Sequence, residues 1–190
     1  MKLVEIAFAG AMFLASLVGT ANAQSNDNYL TIQLKDGPVV IELLPDIAPK
    51  HVERIKALAT AGEYDNVAFH RVIEGFMAQT GDVQYGDMED GYQPQAAGTG
   101  GSSQPDLPAE FSNVPFERGT VGMARAQDPN SANSQFFIMF APGDFLNGQY
   151  TVVGKVVSGM EHVDKIKRGE EAANGAVSDP DRMIKVTVGR

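Results

Sequence analysis

The sequence predicts a mainly β protein, a closed antiparallel barrel of about eight short strands with two helices. Three observations lead there. Short apolar and β-branched runs recur between turn-forming residues, several alternating with a period of two. Only two stretches, at 50–61 and 160–168, carry helical spacing. The 190-residue chain also contains no cysteine. Burial, at about 25 cal/mol per Å² of apolar surface, must therefore hold the fold without disulfide staples, and closing the sheet removes aggregation-prone edges.

Each element follows in order. After a polar lead-in at 24–28, Leu30, Ile32 and Leu34 share one face, Asp36-Gly37 makes a turn, and Val39, Ile41 and Leu43 resume the alternation, which describes an opening hairpin. Pro45 and Pro49 end it. Lys50 to Ala61 reads as a helix with Val52, Ile55, Leu58 and Ala59 on one side and Gly62 as its stop. Further strands are expected at 67–72, 76–80, 119–124, 135–140, 151–156 and 183–188, and a second helix at Met160 to about Arg168. Val83 to Leu107 has no period and is rich in Gly, Gln, Asp, Ser and Pro; it reads as a long surface excursion, of a kind that is usually functional or mobile. No repeat or linker divides the chain, so residues 24–190 are expected to form a single domain.

The first 23 residues read as a leader. Lys2 opens it, Ile6 to Val18 is mostly apolar, and Ala21-Asn22-Ala23 gives the small-x-small pattern of a signal-peptidase site. The apolar run is shorter than the roughly 20 residues of a membrane span, which favours cleavage before Gln24 over a stable anchor. A formal charge of −9 with no basic cluster argues against a nucleic-acid partner. With no exposed apolar heptads, a monomer is expected.

Most catalytic chemistries lack their minimum parts. His51, His70 and His162 are the only histidines and none stands at HExxH spacing, so no metal site is expected. There is no GxSxG elbow, "GTGGSS" at 98–103 lacks the lysine of a phosphate loop, and "GDMEDG" at 86–91 lacks calcium-ligand spacing. What remains is "FHRVIEGFMAQTGD" at 69–82, where Arg71 stands among Phe69, Phe76 and Met77 and is followed by Gln79. A guanidinium stays charged at physiological pH, so an apolar setting for it carries a desolvation cost that function would explain; the alternative is a solvated arginine at a strand end.

With "GTGG", "SQFFI" and "FLNGQYTVVGKVVSGM" following in order, the chain resembles the cyclophilins, peptidyl-prolyl cis/trans isomerases, over roughly residues 29–188. The resemblance implies an eight-stranded barrel capped by two helices, with a groove on its outside, and no cofactor. It implies Arg71 as the catalytic arginine and Gln79 as its support. Phe76, Met77, Phe137 and Leu146 would form the proline pocket, for which ordinary barrel core is the competing reading. Gln135 and Ala124-Arg125-Ala126 would line the edge that binds substrate backbone, with Gly98 at the neighbouring turn. Phe145, Tyr150 and Arg125 stand where many eukaryotic members carry tryptophan, histidine and asparagine, so the resemblance is closer to bacterial members and implies weakened cyclosporin binding.

The expected function is isomerisation of X-Pro bonds, with Pro-containing peptides and unfolded exported proteins as partners. Leader and resemblance together imply a periplasmic location. Two alternatives stand beside it: a module or chaperone that grips Pro-containing segments without significant turnover, and a secreted barrel serving only adhesion or immune contact, which would leave the Arg71, Gln79 and Phe137 set without a reason.

Overall fold

The computed structural model describes residues 26–190; the leader at 1–23 lies outside them. The opening hairpin forms as the alternation requires, with β1 (Tyr29–Leu34) antiparallel to β2 (Gly37–Leu43) and Leu34 opposite Gly37. Then come α1 (Pro49–Ala61), β3 (Arg71–Ile73), β4 (Met77–Thr80), β5 (Thr120–Met123), β6 (Phe136–Met139), β7 (Val152–Ser158), α2 (Met160–Val163) and β8 (Lys185–Val188). All eight strands join one antiparallel sheet in the order β3-β4-β6-β5-β7-β2-β1-β8.

That order corrects the expected closed barrel: the sheet curls into a half-barrel, and its end strands β3 and β8 do not pair with each other. The physical reason lies in the run expected as a strand at 67–72, of which only the end enters a ladder. Asn66 takes a positive φ of 61° and Asp179 one of 52°, breaking the extended backbone on both sides of the seam. Val67, Ala68 and Phe69 instead meet 181–183 through single bonds, such as Met183 N–H to Val67 O at 2.9 Å and Phe69 N–H to Asp181 O at 2.8 Å. The outer edge of β3 is covered by the loop at 169–177: Val72 donates to Gly175 O and Gly169 donates to Val72 O.

Alternation sorts the side chains into two apolar clusters. Inside the curl, Leu30, Ile32, Val39 and Ile41 meet Ala78, Phe136 and Ile138, with Val52, Ile55, Leu58 and Ala59 of α1 packed against them. The intervening residues point the other way, so Met77, Phe137 and Met139 form a separate outer cluster with Phe116, Leu146 and Val152. Gly122 makes that cluster fit. A Cβ there would stand 2.5 Å from Phe116 and 2.6 Å from Phe137, whose rings stack at 5.7 Å over the bare backbone.

The helices end as physical chemistry dictates, though one sooner than its spacing predicts. Gly62 takes the left-handed conformation after α1, and its N–H and that of Glu63 close on Ala59 O and Leu58 O. Ala48 offers α1 no side-chain cap; Glu110 reaches in from the connection between β4 and β5 to accept the N–H groups of Lys50 and His51 and the His51 ring. Burial raises the Glu110 carboxyl, but the His51 ring and these two amides outweigh it and hold the group below its ordinary pKa. The second helix stops at Val163 because Lys165 and Ile166 tighten to bonds three residues back and the Lys167 N–H turns to Asp181.

The candidate active site

Sheet register assembles the site on the outer face. Arg71 lies opposite Gln79 across β3–β4, Gln79 opposite Phe137 across β4–β6, and Phe137 opposite Gly122 across β6–β5. One row therefore runs cation, amide, aromatic ring and open backbone. Met77 and Gln135 flank it two residues along their own chains and so share its face.

Arg71 is half-buried, which lowers its pKa from the ordinary value while Tyr150 opposes the shift. Its acceptors are neutral. Nε donates to the Asn174 carbonyl at 3.0 Å, Nη2 to Asn174 Oδ1 at 3.0 Å and Nη1 to Gln79 Oε1 at 3.3 Å, with the Met77 sulfur 3.9 Å from Nη1. Among the described residues no carboxylate pairs with it. The guanidinium is thus oriented without its charge being neutralised.

A chain of amides carries that orientation across the face. Gln79 Nε2 donates to Gln135 Oε1 at 2.9 Å, and Gln135 Nε2 donates to Gly100 O at 2.8 Å. Each amide must present oxygen to one neighbour and nitrogen to the next, so the arginine at one end and the carbonyl at the other fix both side chains. The carbonyl end is anchored by Asp82, which is fully buried and accepts the N–H groups of Gln84, Tyr85, Gly98 and Gly100 at 2.7–3.1 Å. Gly98 sits at φ 98°, and a Cβ there would press to 2.9 Å of the His70 ring beneath it. His70 is buried; burial pushes its pKa down to about 4, against the opposing charge of Asp82 and the nearby Ala68 backbone.

All the expected site residues converge. A cavity of about 430 Å³ is lined by Arg71, Phe76, Met77, Gln79, Phe137, Phe145, Leu146 and Tyr150. A neighbouring cavity of about 520 Å³ takes in Gly98, Ala126 and Gln135, and Gln79, Ala124 and Arg125 border both. Met77, Phe137 and Leu146 form a buried floor, while Phe145 is 65% exposed at the rim, 5.4 Å from the Phe76 ring. Arg125 and Tyr150 prove to be coupled: the guanidinium lies 4.3 Å over the Tyr150 ring and donates to Ala126 O and Gln149 O, and Tyr150 meets Phe137 edge-on.

Two participants escaped the sequence reading, Asp82 and Asn174. Asp82 ends the quoted 69–82 motif, and a carboxylate before a Gly-rich stretch is the one signal that could have marked it. The long excursion is organised rather than free-standing, tied by Asp82, by Arg54 to Gln104 and Pro105, and by Asn133 to Ser102. Asp82→Asn is expected to turn an amide N–H toward backbone donors. Thermal unfolding should show a loss of about 2–3 kcal/mol, or roughly 5–10 °C for a chain of this size. An unchanged melting temperature would remove Asp82 from this role.

Comparisons with known proteins identify the family. The model of the cyclophilin type peptidyl-prolyl cis-trans isomerases matches residues 29–188. A Brucella suis protein named as a probable peptidyl-prolyl cis-trans isomerase is 62% identical, across 99% of this chain and 97% of the relative. Among solved structures, the cyclophilin AquaCyp293 from Hirschia baltica aligns with a TM-score of 0.71 at 26% identity, covering 86% of this chain and 74% of that one. A Cryptosporidium parvum cyclophilin-type isomerase, crystallised in the presence of the dipeptide Ala-Pro, aligns at 0.69 and 26%, covering 85% and 99%. The fold and the matched family define an isomerase of peptide bonds preceding proline. The chain belongs to the cyclophilin-type peptidyl-prolyl isomerases, and the enzyme reading prevails over the binding-module and adhesion alternatives.

Proposed function

We propose that the mature chain, Gln24 to Arg190, is a single-domain periplasmic isomerase that binds Pro-containing segments of unfolded exported proteins in the 430 Å³ cavity and acts on them through Arg71. The observation that carries the site assignment is a cation held only by neutral acceptors at the edge of an apolar pocket. An Ala-Pro dipeptide accompanied the Cryptosporidium relative, and the chemistry of the cavity suits the same ligand class here.

Rotation about an X-Pro bond crosses a barrier of about 18–20 kcal/mol because the amide loses resonance. As it twists, the proline nitrogen recovers its lone pair and the carbonyl oxygen loses partial negative charge. A donor on that oxygen would favour the planar ground state, whereas a donor on nitrogen favours the twisted one. Of the five N–H groups of Arg71, three are engaged by oxygen and Nη1 also meets the Met77 sulfur, leaving the second N–H of Nη2 for that task. Met77, Phe137 and Leu146 would hold the proline ring and favour the less polar twisted amide.

The changes at Arg125, Phe145 and Tyr150 support weakened cyclosporin binding within this reading. For export, the test is the N-terminal sequence of the protein released from the periplasm of producing cells by osmotic shock. Gln24 is the expected first residue. Recovery only in the cytosol with the leader intact would reject both cleavage and location.

A further inference from the structure

Asn174 grips Arg71 twice, and we propose that it is a positioning residue for isomerisation, fixing the guanidinium so that the unengaged N–H of Nη2 stays directed to the substrate. The inference rests on the reading of Arg71 as the reacting cation. Asn174 stands 103 positions from Arg71 in sequence and presents two acceptors from one residue, the backbone carbonyl to Nε and Oδ1 to Nη2. Two oxygens on one side of a planar fork fix its plane, which the single, longer contact to Gln79 does not.

The turn that carries Asn174 is held without its side chain. Gly175 O receives the Val72 N–H at 2.8 Å, Gly169 donates to Val72 O at 2.9 Å, and Val177 donates to His70 O at 3.1 Å, so backbone bonds that do not involve the Asn174 side chain seat the loop against 70–72. Within the turn, Glu170 O accepts from Ala173 and Gly175. Asn174 itself sits at φ 53°, where asparagine and glycine are the residues most readily accommodated. The carboxamide is therefore spare for Arg71. Being neutral, it orients the guanidinium without offsetting the charge that the reaction uses.

Asn174→Gly is the informative change, because glycine keeps the left-handed turn and the carbonyl contact while removing Oδ1. For a short X-Pro peptide, kcat should fall roughly fivefold, the equivalent of about 1 kcal/mol for one exposed charge-assisted hydrogen bond, with KM and melting temperature little changed. In an Arg71→Ala background the same change should cost nothing further. A wild-type kcat in Asn174→Gly, or an equal loss in both backgrounds, would overturn the positioning role while leaving Arg71 its own. Full turnover in Arg71→Ala alone would instead remove the foundation of both.

Discussion

Arg71→Ala is expected to lower isomerisation at least tenfold and to leave the fold intact. One charge-assisted hydrogen bond contributes about 1.5–3 kcal/mol, which at 1.36 kcal/mol per decade corresponds to about 10- to 150-fold. Bringing a step of tens of seconds to milliseconds requires about 10⁴-fold, or roughly 5.4 kcal/mol, so the arginine cannot be the whole catalyst. The remainder falls to the apolar floor of Met77, Phe137 and Leu146. Stability should change little, because Arg71 is half-buried at an end strand and the acceptors it releases, on Asn174 and Gln79, can turn to water. The measurement is cis-to-trans relaxation of an X-Pro peptide beside an unfolding curve. Near-normal turnover in a folded variant would defeat the nitrogen-directed mechanism; peptide binding without acceleration by the wild type would return the chain to the binding-module reading.

The second large effect is on stability and comes from His70. Its folded pKa of about 4 lies below the ordinary value of 6.5, so the native ring stays neutral while the unfolded ring takes up a proton. Between those values the unfolded state binds more protons and stability falls as the pH drops. At 1.36 kcal/mol per unit the full loss approaches about 3 kcal/mol near pH 4, and none of it is present above about pH 7. Denaturant unfolding across pH 4–8 of the wild type and His70→Leu isolates this contribution from the carboxylates that titrate lower. The wild-type curve should fall more steeply on the acid side. Parallel curves would show that His70 protonates equally in both states.

The sequence reading was strongest where a local period decides structure. The opening hairpin and α1 follow from alternation and helical spacing, and the boundaries at Gly37 and Gly62 from turn chemistry. It failed where distant backbone decides. Positive φ at Asn66 and Asp179 keeps the sheet open, and the Asp181 carboxylate takes the Lys167 amide beyond the shortened α2. At the site, Arg71, Gln79 and Phe137 emerged as a set through motif resemblance, and register then gave the physical reason they share a row. Asp82 and Asn174 remained hidden because they act on backbone amides and across a separation that no periodicity encodes.

The neutral cradle around Arg71 has a physiological corollary. Arg71, Gln79, Gln135 and Asn174 include no group that changes charge near neutrality, so nothing in this orienting chain couples turnover to proton concentration. The titrating histidine lies beneath the Gly98 turn and reports instead on whether the scaffold survives. The export proposed above would bring the enzyme into whatever medium surrounds the cell. Built this way, its orienting chain would keep an even pace through moderate acidification while the scaffold around it loses stability, so that acid acts on the fold and not on the cation.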